Sequence, residues 1–152
     1  MYKIRKPLLK DAKEIHSILN HYASKGLLLP RPLSQIYSRI RDFFVYEEEG
    51  NIVGCVALSI VWENLGEIRS LAIKEEYQKN GIGAKLVNSC IEEAKSLGLY
   101  HIFTLTYVPE FFKKLGFKEI EKTKLPHKIW SDCIHCPHYP NCNEIALEYH
   151  IS

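Results

Sequence analysis

Residues 71–86 read LAIKEEYQKNGIGAKL: the apolar end of a strand, a polar turn, and a helix start punctuated by Gly81 and Gly83. The bend from Gln78 to Gly83 carries little side-chain bulk, so a ligand can approach the backbone closely there. A helix opening at this point leaves its first amides without intrahelical acceptors, and the helix dipole adds partial positive charge beside them. A phosphate or pyrophosphate is the expected occupant. The competing reading is a turn that only accommodates packing. The missing Gly-Lys-Ser/Thr ending excludes a P-loop, and a Rossmann fingerprint is disfavoured because the strand before the turn belongs to a meander.

That meander lies immediately upstream. Residues 43–73 hold β-branched and aromatic runs broken by EEGN and ENLG, which predicts three consecutive antiparallel strands. Before it, YKIR (2–5) reads as a strand. KDAKEIHSILNHYA reads as a helix with Ile15, Ile18, Leu19 and Tyr22 on one face and Asp11 as cap. The loop GLLLPRPL, held extended by its prolines, leads to a helix over SQIYSRIRDF with Ser34 at the N-cap. Downstream, GIGAKLVNSCIEEAKSLGL puts Leu86, Val87, Cys90, Ile91, Ala94 and Leu97 on one helical face that ends at Gly98. A strand YHIFTLTYV, a short helix PEFFKKLGF opened by Pro109 and stopped by Gly116, and strands KEIEK and EIALEYHI complete the chain. The order predicts an α+β fold, a central mixed, mostly antiparallel sheet flanked by helices.

Composition sets limits on this reading. The 152 residues are 46% apolar and 25% charged, in the range of soluble globular proteins, and suffice for one domain over 1–152. A net charge of +2, with basic and acidic residues interspersed, gives no basic face for nucleic acid. No apolar run is long enough to span a bilayer, and MYKIRKPLLKD lacks a signal-peptide core, so no membrane partner and a cytoplasmic location are expected. In that compartment thiols stay reduced; Cys55 and Cys90, inside apolar patterns, read as small core residues.

With these elements in place, SLAIKEEYQKNGIG followed by EFFKKLGF resembles the GNAT family of acetyl-CoA-dependent N-acetyltransferases, which carries Gln/Arg-x-x-Gly-x-Gly/Ala after a strand and a later short helix ending in Gly-Phe. The resemblance runs almost end to end. More narrowly, GLLLPRP, IVGCVAL, GEIRSLAI and FTLT are similar to the acetyltransferase domain of N-acetylglutamate synthases, the first enzymes of arginine biosynthesis. The larger members carry an amino-acid-kinase-like domain; this chain would be a short, free-standing form. The resemblance implies acetyl-CoA as cosubstrate. The backbone of Leu71, Ala72 and Ile73 would hold the pantetheine arm and stabilise the oxyanion, and Gln78, Lys79, Asn80, Gly81, Ile82, Gly83 and Ala84 would wrap the pyrophosphate. The implied partner is a small amino-acid acceptor, most simply L-glutamate, and a homodimer is one possible assembly. Glutamine, aspartate, a polyamine or a protein N-terminus are other acceptors. A non-catalytic CoA- or zinc-binding interaction module is the alternative from another class.

An α-amine has a pKa near about 8, so at neutral pH it must lose a proton before attacking a thioester. Glu67 matches the family's frequent catalytic glutamate; the alternative is a strand residue paired with Lys or Arg. The late-helix tyrosine that many members use as acid is Phe112 here, a departure that leaves Phe112 as an expected acetyl-CoA contact and Tyr107 as substitute acid or core residue. Two substrate carboxylates call for cationic forks. Arg31 matches an arginine of the synthase family's substrate loop, against a plain surface charge. Arg69, two residues after Glu67, shares its strand face, against a simple salt bridge. Lys128 lies where that family has further basic contacts.

SDCIHCPHYPNC (131–142) forms a Cys-rich insertion at about 131–143 before the last strand. Cys133, Cys136 and Cys142 could hold a structural zinc, with His138, His135 or His127 as fourth ligand. With only one CxxC, reduced thiols packed under Pro137 and Pro140 or a redox-sensitive pair remain open. Either way the segment would cover the acceptor end of the cleft.

Overall fold

The computed structural model describes residues 1–124 and 144–151. Its strands are β1 (Tyr2–Arg5), β2 (Phe43–Glu48), β3 (Asn51–Trp62), β4 (Leu65–Ile73), β5 (His101–Thr106), β6 (Lys118–Ile120) and β7 (Ile145–His150). Its helices are α1 (Ala12–Ala23), α2 (Leu33–Ser38), α3 (Ile82–Ser96) and α4 (Pro109–Lys114). The strands form one sheet in the order β1-β2-β3-β4-β5-β7-β6. Every pairing is antiparallel except β4 with β5. The expected α+β architecture is therefore present, with the meander β2-β3-β4 at its centre.

The helices lie on both faces. α3 and α4 cover one core, where Leu86, Val87 and Cys90 of α3 meet Val56, Ile68, Ile102 and Leu147 of the sheet. α1 and α2 cover the other, where Ile15, Ile18, Leu19 and Ile36 meet Phe43, Val45, Cys55 and Ala57. Apolar burial of this kind, worth roughly 25 cal/mol per Å², fixes which face each strand residue can take. Cys55 and Cys90 are free and buried as expected, and burial pushes both thiols up to about 12.

Local endings differ from the sequence reading in four places. Asp11 does not cap α1 with its side chain. Its carboxylate accepts the Leu8 amide at 2.8 Å and pairs with Arg5 at 2.9 Å, closing a short 3-10 turn at Leu9–Asp11. Ser34 lies inside α2, whose N-cap is Pro32, and the helix gives way to a 3-10 turn at Ile40–Asp42. Leu97 is exposed: Gly98, at φ 76°, turns the chain so that Leu99, 3% exposed, takes the core position instead. The strand at 118–122 is shortened to Lys118–Ile120, followed by a 3-10 turn at Lys122–Lys124.

Candidate functional site

β4 passes through a local irregularity at the middle of the sheet. Cys55 pairs with Ala72 and Ala57 with Arg69, so Val56 faces two residues, Ser70 and Leu71. This is a β-bulge, a device that bends a strand and re-aims its groups. Ser70 sits at φ 57°, in the left-handed region where a side chain costs about 1–2 kcal/mol. The conformation is held from two sides: the Cys55 thiol donates to the Ser70 carbonyl at 3.5 Å, and Arg31 Nη1 donates to Ser70 Oγ at 2.9 Å.

Beside the bulge the sheet opens. β4 and β5 pair only at Gly66 with Ile102 and at Glu67 with Phe103. One further tie, Thr104 Oγ1 donating to the Ile68 carbonyl at 2.8 Å, closes the vertex. Beyond it β5 continues along β7 while β4 stays with β3, leaving a gap next to Leu71, Ala72 and Ile73. Glu67 stands at the vertex of that gap and is 9% exposed.

Charged groups gather around the vertex. Arg31 is 6% exposed, not a surface charge in a loop. Its Nε donates to Gln35 Oε1 at 2.7 Å, and its guanidinium lies 5.1 Å from the Phe43 ring centroid. Burial, and then the positive charge of Arg69, pull its pKa down to about 10. Arg69 Nη1 approaches Glu67 Oε1 at 3.9 Å, so the expected sharing of one face holds. The two guanidiniums thus lie close enough for one to feel the other's charge, and Arg69 in turn approaches Glu67.

At the far end of β4 the chain enters the turn of residues 74–81. Lys79 and Gly81 adopt left-handed φ of 67° and 77°. Among the described residues nothing lies within 4 Å of where a Gly81 side chain would start, so the requirement for glycine is conformational. Gly83 has a different reason. A Cβ there would meet Cζ and Cε1 of Phe111 at 3.0 and 3.2 Å, so this glycine lets α4 abut the start of α3. α3 has neither a side-chain cap nor an acidic residue in its first turn. The amides of Ile82, Gly83 and Ala84 therefore remain available to an anion. Gln78 does not reach toward that opening; its Nε2 donates to Tyr22 Oη at 2.6 Å and to the Ile73 carbonyl at 3.2 Å. Tyr22 in turn donates to the same carbonyl, tying α1 to the end of β4.

Of the other expected site residues, Phe112 is in the core, 3% exposed and edge-on to Phe111 and Phe117. Its neighbour Phe111 is the ring against the anion turn, since adjacent helical residues point about 100° apart. Tyr107 follows β5 directly, half-buried, on the opposite side of the gap from β4. Lys128, Cys133, Cys136 and Cys142 lie outside the described residues. Sequence reading did not single out Ser70, Gln35 or Phe43, and took Tyr22 only as part of an apolar helix face; Ser70 and Phe43 act through contacts distant in sequence, Gln35 through a neighbour four residues away, and Tyr22 through its polar tip.

Comparison with known proteins agrees with this fold. The acetyltransferase (GNAT) family profile matches residues 12–117. An uncharacterized N-acetyltransferase of Chlorobaculum tepidum is 42% identical over 95% of this chain and 93% of its own. An amino-acid acetyltransferase of Mycobacterium tuberculosis is 34% identical over 85% of this chain and 75% of its own. Among solved structures, N-acetylglutamate synthase from Neisseria gonorrhoeae, complexed with coenzyme A and N-acetyl-glutamate, superposes with a TM-score of 0.91 at 26% identity. That match covers all of this chain but 35% of the synthase. A Mycobacterium tuberculosis protein solved with CoA superposes with a TM-score of 0.87 at 28% identity over 99% of both chains.

Proposed function

The chain belongs to the acetyltransferase (GNAT) family and is an acetyl-CoA-dependent N-acetyltransferase, and on that premise we propose that it acetylates the α-amine of a small acidic amino acid, L-glutamate first. The observation that carries this reading is the pairing of Arg31 with Arg69 beside Glu67. Two guanidiniums brought close enough that one depresses the other's pKa are an unfavourable arrangement by themselves. An acceptor with two carboxylates would relieve it, binding each through a planar fork. A polyamine would make it worse, and a neutral amino acid would relieve it by half. Two relatives, an amino-acid acetyltransferase and an N-acetylglutamate synthase, support this reading by their names, and on it the chain would serve arginine biosynthesis.

In this reading the pyrophosphate of acetyl-CoA lies on the free amides at the start of α3, and the pantetheine arm runs along Leu71, Ala72 and Ile73 in the gap. The thioester then reaches the vertex, where the amide of Leu71 faces the developing oxyanion. Glu67 takes the proton of the acceptor ammonium, through water. The freed amine forms the new N–C bond, its nitrogen gives up the surplus proton to water, the C–S bond breaks, and the electron pair leaves on the CoA thiolate. Tyr107, across the gap, is the candidate to protonate that thiolate. Phe112 has no proton to give.

Thiol release tests the assignment. Protein, acetyl-CoA and single amino acids are mixed and free thiol is followed with a colour reagent. Release with glutamate well above glutamine and the neutral amino acids is expected. No release with any amino acid would sink the reading of the acceptor as an amino acid, and equal release with neutral ones would sink the role given to the arginine pair.

A further inference from the structure

At the end of the sheet away from the gap, β5 and β7 bring together three metal-ligating side chains that the acetyl-transfer site does not use. We propose that His101, Glu148 and His150 form a binding site for a divalent transition-metal ion of the zinc class.

The backbone register places them. His101 pairs with His150, and Phe103 pairs with Glu148 across the antiparallel ladder. Directly opposed residues and those two apart on a strand share a face, so all three side chains project to one side. The geometry at their tips follows. His101 Nε2 lies 2.9 Å from Glu148 Oε1, and His150 Nε2 lies 3.4 Å from the same oxygen. One donor atom from each residue falls within 4.8 Å of the other two. The imidazole rings stack, with centroids 4.2 Å apart and planes 15° from parallel.

These distances can be set against what an ion requires. A tetrahedral zinc bound to imidazole nitrogen and carboxylate oxygen at about 2.0–2.2 Å holds its ligand atoms about 3.3–3.5 Å apart. The two His–Glu separations sit at or a few tenths of an ångström below that spacing; because the rings stack nearly parallel, one imidazole must also turn so that both nitrogens aim at one point, a side-chain motion that leaves the strand backbone in place. Two imidazoles and one carboxylate suit borderline divalent ions, zinc, cobalt, nickel or copper, over calcium or magnesium, which take oxygen donors. Ligands carried on paired strands are also better fixed than ligands on loops.

Access and competition are compatible with binding. His150 is 66% exposed at its side chain, while His101 and Glu148 are 30% and 26% exposed. An ion can thus enter from solvent, and the fourth position is left to water. The bland alternative is a surface cluster in which two histidines share one carboxylate by hydrogen bonding. Lys118 on β6, exposed and opposite Glu148 in register, is the charge that opposes a cation here. The site differs from the Cys133, Cys136 and Cys142 cluster in donor chemistry, and that difference makes it testable.

The experiment titrates zinc chloride, and separately cobalt chloride, into the full chain with Cys133, Cys136 and Cys142 replaced by serine. Binding of one ion per chain is expected, with cobalt giving visible ligand-field bands and no thiolate charge-transfer band. His150→Ala and Glu148→Gln should each weaken affinity at least about tenfold. Because His150 is exposed, His150→Ala should keep the fold, which circular dichroism checks. Absence of binding, or binding unchanged by both substitutions, overturns the proposal. If the serine background does not fold, imidazole NMR on the parent chain decides: zinc must shift the His101 and His150 ring signals, and zinc uptake that leaves them unmoved overturns it.

Discussion

The two ends of β4 are built from different materials. Toward α3 the functional groups are backbone: open amides at Ile82, Gly83 and Ala84, a left-handed Gly81, and the strand edge at Leu71 to Ile73. Toward the vertex the candidate groups are side chains: Glu67 and Arg69, which approach each other on the strand, and Arg31 from the segment before α2, held by Gln35 and by Ser70, 39 residues on. A backbone site tolerates substitution of most side chains but not of the residues that set its φ angles. A side-chain site has the opposite sensitivity. The contrast implies that substitutions at one end should change the handling of one substrate and leave the other largely untouched.

Four measurements press on that division, starting with the largest effect. Glu67→Gln should lower kcat/KM by about 10²- to 10⁴-fold, the range of a lost general base, with KM for acetyl-CoA unchanged. A comparable rise in that KM would mean that the vertex also binds the cofactor end. Arg31→Met should raise KM for the acceptor by about 30-fold or more, since losing a buried charge that pairs with substrate costs about 2–5 kcal/mol. Its folding stability should move by less than about 1 kcal/mol, because the lost bonds to Gln35 and Ser70 are offset by no longer burying a charge. Arg31→Lys should not rescue, as an ammonium cannot keep the fork on both partners. Urea titration beside steady-state kinetics separates these effects.

Gly81→Ala comes third. It meets no neighbour, so its whole cost is that of a side chain at φ 77°, about 1–2 kcal/mol. KM for acetyl-CoA should rise several-fold and KM for the acceptor should stay put; the reverse pattern would break the comparison outright. The smallest effect is on acid stability. The Glu75 carboxyl is held down from 4.5 to about 2 by hydrogen bonds from Lys25 and His21. Burial pushes the Asp11 carboxyl up, but the bonds from Arg5 and the Leu8 amide outweigh it and leave the pKa lowered. Both are acids with depressed folded pKa values, so the stability they give is complete above the ordinary carboxylate range and lost as pH falls below it, for Glu75 toward about 2. Urea midpoints should drop over that window, and less steeply in Asp11→Asn. Acetyl transfer near neutral pH should not follow this titration.

The same division explains what could be read from the sequence. The turn at 78–84 was legible because its signal is local: two glycines, a strand before them and a helix after. Even so, Gly83 answers to Phe111, a contact no periodicity announces. Arg31 was legible as a residue type in a suggestive loop, but its burial depends on Ser70, 39 residues on, and on Phe43. That Arg31 is buried rather than a surface charge therefore became visible only in the fold, and its substrate role rests on the proposal above. Helix interiors were read correctly from their apolar spacing. Their ends were not, because Asp11 is drawn to Arg5 and a glycine stop hands the core position from Leu97 to Leu99. The seating of β7 between β5 and β6, which assembles the His101, Glu148 and His150 cluster, carries no local signal at all.

Ser70 carries a consequence for anyone engineering this chain. Glycine would adopt φ 57° without the cost a side chain bears, so a search for more robust variants has every reason to select Ser70→Gly. Such a variant would keep the bend and lose the oxygen that Arg31 leans on. On the role proposed for Arg31, durability and selectivity compete at this position, and a screen scored on heat resistance alone would favour the less selective variant.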